Sequence, residues 1–240
     1  MANPLEQFEV KTLIPLRIGN VDVSFTNSSL FMVLAVVVST LFFALCLRKR
    51  AIVPSTAQTI PEGIYGFIRG LIKENIGDEG LKYFPFIFSI FLFVIFGNIL
   101  GLFPYSFTFT SHLAAVGGLA CIALLFNIAV GISKKKWGYW RTFMPKGIPM
   151  VLAPLIIPIE VISFLSKPFS LTVRLVANMT VGHIMLKIIA GFVVALGALG
   201  IVPLLFDAAI VMFEIFIACL QAFIFTVLSC IYLGDAIHSH

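Results

Sequence analysis

Residues 165–187 read LSKPFSLTVRLVANMTVGHIMLK, and one residue in the middle of that stretch decides the fold. Arg174 sits inside an apolar run that continues to Ile201. A run of that length is a membrane segment, and a charge at its centre costs about 2.5–3.5 kcal/mol on insertion scales. Arginine is not deprotonated in proteins, so it cannot shed the charge. Arg174 must therefore face other protein or water. Two readings stay open: a functional charge, or a structural arginine paired with a buried carboxylate such as Glu160 or Glu214.

The rest of the chain is of the same kind. Of its 240 residues, 60% are hydrophobic and 11% charged, against about 25% charged in soluble domains. That composition excludes a large soluble core and specifies a polytopic membrane protein. The net charge of +5 does not indicate nucleic-acid binding, because the basic residues stand in short clusters beside apolar runs, a topology pattern. Cys46, Cys121, Cys219 and Cys230 lie in apolar runs without C-x-x-C spacing, and read as packing residues. The sequence has no P-loop, glycine-rich phosphate cradle, metal-binding cluster or Ser/Cys triad pattern, so neither a cofactor nor a metal is expected. The first 25 residues are too mixed for a cleaved signal peptide, and the chain is expected to begin near Met1.

The expected fold is all-α, one membrane domain over 1–240. It has about five membrane-embedded helices, an interfacial amphipathic helix and a proline-broken re-entrant segment. Residues 1–29 form a polar outer segment, and 30–47 a first span ending at Arg48-Lys49-Arg50. Residues 59–77 carry apolar side chains near i, i+3, i+4 spacing opposite a mixed polar face, the pattern of a helix on the inner membrane surface. Residues 84–104 are a second, phenylalanine-rich span with Asn98 as a structural polar group, and 113–133 a third. Six basic residues in 48–82 and five in 134–146 place both loops inside and the N-terminus outside. Residues 148–166, broken by Pro149, Pro154 and Pro158, read as re-entrant or interfacial. A complete extra span there would put the C-terminus outside. Residues 169–202 and 204–234 would be about 51 and 46 Å long as helices, well over the ~30 Å hydrocarbon layer. They read as an antiparallel hairpin, steeply tilted, or else as helices broken near Gly191 or Gly197.

Along that hairpin lie Arg174, Asn178, His183, Lys187, Asp207, Glu214 and Gln221. Facing residues in an antiparallel pair have position numbers of nearly constant sum. The pairs Arg174–Gln221 and His183–Glu214 agree within two residues, about half a turn. Arg174 and Asn178 share a face at i, i+4, whereas His183, nine residues on, points to the other side. A histidine and a carboxylate exchange protons near neutral pH and an arginine exchanges none. The set therefore suits a proton path beside a fixed charge. Each member also has a plain structural reading, as a hydrogen-bonded buried histidine or as amides joining helices. Asp207 and Lys187 near segment ends, and His112 in a turn, carry no assignment.

SKPFSLTVRLVANMTVGH at 166–183 and LQAFIFTVLSCIYL at 220–233 resemble the signature stretches of subunit a in the membrane sector of F-type ATP synthases. GNILGLFP at 97–104 resembles the family's second-span motif, and NPLEQFE at 3–9 resembles its alphaproteobacterial and mitochondrial branch. The resemblance implies a stator beside a rotating c-subunit ring, peripheral-stalk b-type subunits as further partners, and two aqueous half-channels carrying protons. It implies that Arg174 is the essential arginine, that Asn178 and Gln221 line the inlet path, and that His183 and Glu214 form a relay pair. Some bacterial relatives carry those two residue types exchanged. It also implies that Glu160, with Ser163 beside it, belongs to the inner half-channel. The chain would bind no nucleotide itself. Its expected place is the inner (plasma) membrane of a bacterium with a cytoplasmic C-terminus, or alternatively the mitochondrial inner membrane. The competing class is a stand-alone secondary transporter or channel that uses Arg174 to bind an anionic substrate. Such carriers often contain internal repeats, and none relates residues 30–133 to 148–234.

Overall fold

A computed structural model describes residues 9–15, 17–18, 21–22, 24–48, 55–103, 106–135 and 153–238. The first stretch, expected to be weakly patterned, forms two small antiparallel ribbons. β1 (Thr12–Ile14) pairs with β4 (Phe25–Thr26), and β2 (Arg17–Ile18) with β3 (Val21–Asp22). Asn27 joins them to the first helix: its side-chain amide donates to the Glu9 carbonyl at 3.0 Å and accepts from the Lys11 N–H at 3.2 Å.

Six α-helices follow among the described residues: α1 (Asn27–Cys46), α2 (Thr56–Ile76), α3 (Phe84–Gly101), α4 (Leu113–Lys135), α5 (Ala153–Leu196) and α6 (Ile201–His238). Five of them, all but α2, are long and apolar enough to cross a membrane. The all-α membrane architecture expected from composition is thus the one found. Helix α1 starts where the Thr26 hydroxyl accepts from the Ser29 N–H at 3.3 Å, a side-chain N-cap. Helix α2 buries Gln58, Pro61, Ile68, Leu71, Ile72 and Ile76, one stripe at helical spacing. The basic residues Lys49, Arg50, Lys136, Arg141 and Lys146, used above for topology, lie outside the described residues, as do 148–152.

One expectation is corrected. The sequence reading separates 148–166 from 169–202, whereas 153–166 are the opening turns of the 44-residue α5. Pro154 falls in the first turn, where its missing N–H has no intrahelical acceptor to lose. Pro158 and Pro168 lie inside the helix, and each withdraws one backbone bond, from the carbonyls of Pro154 and Phe164 respectively. Ending the helix would strand several more backbone groups in an apolar medium, so the ladder continues around them. Helix α5 is then about 66 Å long and the 38-residue α6 about 57 Å. Both exceed the bilayer core about twofold, so they must incline, bend or project beyond it. They join at a 3₁₀ turn, Gly197–Gly200. Gly197 takes φ +53° there, a backbone state that glycine adopts without penalty.

Packing divides the chain into two compact units. One comprises residues 1–48, 92–116 and 174–223. Its core sets Ala35 of α1 against Phe107 and Phe109 of the α3–α4 loop, with Phe31, Phe93 and Phe96 around them. The second, 49–91, 117–173 and 224–240, buries Ile68, Ile72, Ile87, Phe91, Ala123, Phe225 and Leu233. Phe86 stacks on Phe126 there at 3.6 Å between centroids, and Phe164 meets Tyr232 edge-on at 5.3 Å.

Candidate functional site

The polar residues of the first unit are sorted by helix face. On α5, Leu175, Met179 and His183 are buried, whereas Arg174, Ala177, Val181, Met185 and Phe192 are exposed. The exposed set recurs at intervals of three, four and seven, so it is one face of the helix. Arg174 is its charge, and it makes no ion pair or hydrogen bond among the described residues. The pairing with a buried carboxylate that the sequence left open is not found there. Asn178, one turn on, is half-buried.

On α6 the polar residues Asp207, Glu214 and Gln221 stand seven apart. Asp207 is half-buried, and the other two are buried beside Ala218 and Ala222. The two helices bring His183 Nε2 to 3.8 Å from Glu214 Oε1. That is too long for a hydrogen bond but within reach after a small closure or through one water. Gly182 makes the approach possible, because a Cβ there would lie 2.5 Å from Glu214 Oε1 and 2.9 Å from its Cδ. Neither Glu214 carboxylate oxygen has a hydrogen-bond partner among the described residues. A buried carboxyl group in that position requires water, a proton or a moving partner.

Two further residues complete the site, and one of them was missed in the sequence. Asn98, expected as a structural polar group of the second span, is fully buried and donates from Nδ2 to the Ala218 carbonyl at 3.2 Å. Thr108 lies in what the sequence reading treats as a plain outer turn. Residues 107–111 are in fact all buried, and the Thr108 hydroxyl lies 3.0 Å from His183 Nε2. The available signal was the alternation Phe107-Thr108-Phe109-Thr110: a solvated turn has no use for two phenylalanines. In the same loop His112 stacks on Phe107 at 4.9 Å, and burial lowers its pKa below the ordinary histidine value. Asp207, given no role from sequence, shares the Glu214 face with a buried Oδ1 that has no partner among the described residues.

Glu160 and Ser163 belong to the second unit. Both are half-buried and lie one turn apart on α5, and the Ser163 carbonyl accepts from the Ser166 hydroxyl at 2.9 Å. The site therefore contains one exposed fixed charge, one buried acid–imidazole couple with a hydroxyl partner, and buried amides beside them.

Comparison with known proteins bears directly on this arrangement. Residues 29–234 match the family model described as ATP synthase A chain. The chain is 52% identical over its whole length to ATP synthase subunit a of Paramagnetospirillum magneticum, and all of that protein is covered. It is 50% identical to subunit a of Rhodospirillum rubrum, again end to end. It is 47% identical to the Mesorhizobium japonicum protein of the same name, over 98% of this chain and 96% of the other. With a family match across nearly all its helices and full-length identities of this order, the chain belongs to the ATP synthase subunit a family.

Proposed function

We propose that the chain is the proton-conducting stator of a bacterial F-type ATP synthase, in which Arg174 faces a ring of small c subunits. The observation that carries this reading is the exposure of Arg174 at one end of a face of α5 that is apolar from Ala177 to Phe192, without a partner among the described residues. In a bilayer such a charge is stable only against water or a second protein. A ring whose passing subunits each present a carboxylate supplies that partner.

In this mechanism protons arrive from the outer side and reach Glu214 and His183. They pass Asn178 and Gln221 and neutralise a ring carboxylate, which can then turn into lipid. After nearly a full rotation the site meets the inner path at Glu160 and Ser163. It loses its proton there as Arg174 favours the anion. Arg174 cannot carry a proton, so it separates the two paths as well as attracting the carboxylate. Each charge crossing 100 mV releases about 2.3 kcal/mol, so several must be combined for each ATP. Nucleotide chemistry belongs to other subunits of the complex, and peripheral-stalk subunits hold this chain against rotation. The N-terminus lies outside and the C-terminus in the cytoplasm.

The test is oxidative cross-linking in native membranes, in a background where Cys46, Cys121, Cys219 and Cys230 are replaced. Single cysteines at Ala177 and Val181, on the Arg174 face, should form disulfides with cysteines flanking the ring carboxylate. A cysteine at the buried Leu175 should not. If no position on the exposed face links to a ring subunit, and the chain purifies alone and moves solute, a stand-alone transporter is the better description.

A further inference from the structure

His183 Nε2 faces two groups at once, Glu214 Oε1 at 3.8 Å and Thr108 Oγ1 at 3.0 Å. A ring nitrogen that gains and loses a proton must alternate between donor and acceptor. A neighbour that can only donate or only accept would oppose one of those states. Thr108 is not fixed in that way, and the reason lies in the hydroxyls behind it.

Helix α3 ends at Gly101, so the Gly101 carbonyl is one of the last four without an intrahelical donor. Two hydroxyls reach it, Thr108 at 3.2 Å and Ser106 at 2.9 Å. Ser106 also reaches the Phe103 carbonyl at 2.7 Å, which in addition accepts from the Ser106 N–H at 3.1 Å. Each hydroxyl carries one hydrogen and can still accept. Two complete arrangements follow. In one, Ser106 donates to Phe103, Thr108 donates to Gly101, and Thr108 accepts from the protonated His183 Nε2. In the other, Ser106 donates to Gly101 and Thr108 donates to the unprotonated Nε2, while the Phe103 carbonyl keeps its backbone donor. Ser106, Thr108, the Gly101 and Phe103 carbonyls and Nε2 are all paired in either state.

We propose that Thr108 is a positioning residue for proton relay, holding the His183 ring toward Glu214 in both protonation states, with Ser106 as the hydroxyl that allows the exchange. This rests on the reading of His183 and Glu214 as the relay pair. A proton passes once Thr108 has turned its hydrogen from Nε2 to the Gly101 carbonyl and freed the nitrogen's single lone pair; the Glu214 O–H bond then breaks and the Nε2–H bond forms, leaving a carboxylate and an imidazolium. The hydrogens of Thr108 and Ser106 only rotate, and no other covalent bond changes. Among the described residues, the other titratable and charged groups beside the couple are Asp207 on the Glu214 face of α6 and Lys187 one turn along α5 from His183, with His112 in the Thr108 loop. Gly101 keeps the pocket narrow, since a Cβ there would lie 2.7 Å from Thr108 Cγ2.

The experiment uses the assembled complex in inverted vesicles. It reads passive proton conduction after the soluble sector is stripped, ATP-driven pumping, and the amount of assembled complex. Thr108→Val keeps the shape and removes the hydroxyl. It should slow conduction about tenfold, the size of one charge-assisted hydrogen bond, and move the pH profile of conduction. Thr108→Ser should restore both. Ser106→Ala should shift the profile in the same assembled complex, because the Thr108 hydrogen is then committed to Gly101. Wild-type conduction with an unmoved profile in Thr108→Val overturns the proposal. If that variant fails to assemble, an unmoved profile in Ser106→Ala overturns it instead. Arg174→Ala run alongside separates the two readings: if it still pumps, the stator assignment fails whatever Thr108 does.

Discussion

Arg174 and His183 lie nine residues apart on one helix and meet the same difficulty in opposite ways. Each is a polar group in an apolar segment, where an unsatisfied charge or dipole is costly. His183 is satisfied inside the chain, by Thr108 at 3.0 Å with Glu214 at 3.8 Å behind it. Arg174 points outward and finds no hydrogen bond or ion pair among the described residues. The difference separates two kinds of polarity in an apolar segment. One is part of how the chain folds. The other calls for water or a second protein beside it.

That contrast breaks first at Arg174. Arg174→Ala should abolish ATP-driven proton pumping while leaving ATP hydrolysis and the amount of assembled complex unchanged, because an exposed side chain holds none of this core together. Acridine-dye quenching in inverted vesicles, with immunoblots for assembly, measures both. A parallel loss of the subunit itself would mean that Arg174 is structural and that the contrast with His183 is false. The next effect belongs to the inner couple. Glu214→Gln removes the exchangeable proton and should lower passive proton flux about a hundredfold, the low end of what a positioned acid or base contributes. The exchanged double variant, His183→Glu with Glu214→His, keeps one imidazole and one carboxyl at the 3.8 Å contact and should recover part of that flux. No recovery would mean that each group also has a partner the exchange destroys, Thr108 being the first suspect.

The sequence carried the helices because they depend on local pattern, and it carried the charge of Arg174 while leaving open whether that charge faced outward or met a buried carboxylate. Apolar runs of bilayer length, basic clusters at their ends and the fixed charge of Arg174 can be read without knowing what packs where. The His183–Glu214 contact was legible for a related reason, since two helices joined by a short turn have one free parameter, their register. Thr108 was not legible. It reaches His183 across 75 positions, through a loop that looks like a solvated turn until its two phenylalanines are seen to be buried. The opening of α5 was misread for an energetic reason. Prolines suggest a broken segment, but Pro154 in the first turn costs no intrahelical bond and Pro158 costs one, whereas a helix end in a bilayer would expose several groups.

A smaller effect tests the folding side of the contrast. Asn98 is fully buried and bonds the Ala218 carbonyl at 3.2 Å, a contact between two apolar helices. Asn98→Ala removes that bond and leaves a space, which should cost about 1–3 kcal/mol of stability. Thermal unfolding of the purified complex in detergent would show it, while proton flux per assembled complex stays close to that of the parent. Should flux fall while the melting point holds, Asn98 belongs to the proton path and not to the folding side of the contrast.

The least effect is expected where a charge has both a partner and water. Lys134 Nζ lies 2.6 Å from Glu79 Oε2, shorter than the 3.0 and 3.8 Å contacts of His183 with Thr108 and Glu214, yet the two side chains are 36% and 61% exposed. Water solvates each ion almost as well as its partner does, and salt screens what remains. Lys135 and Lys136 adjoin it in sequence, so removing one charge also leaves the topology signal standing. Lys134→Gln should therefore leave melting, assembly and pumping within experimental error, at low salt and at high. If it unfolds the complex as Asn98→Ala is expected to, then distance rather than burial sets the worth of a polar contact in this protein. The comparison between Arg174 and His183 would then have to be redrawn on that basis.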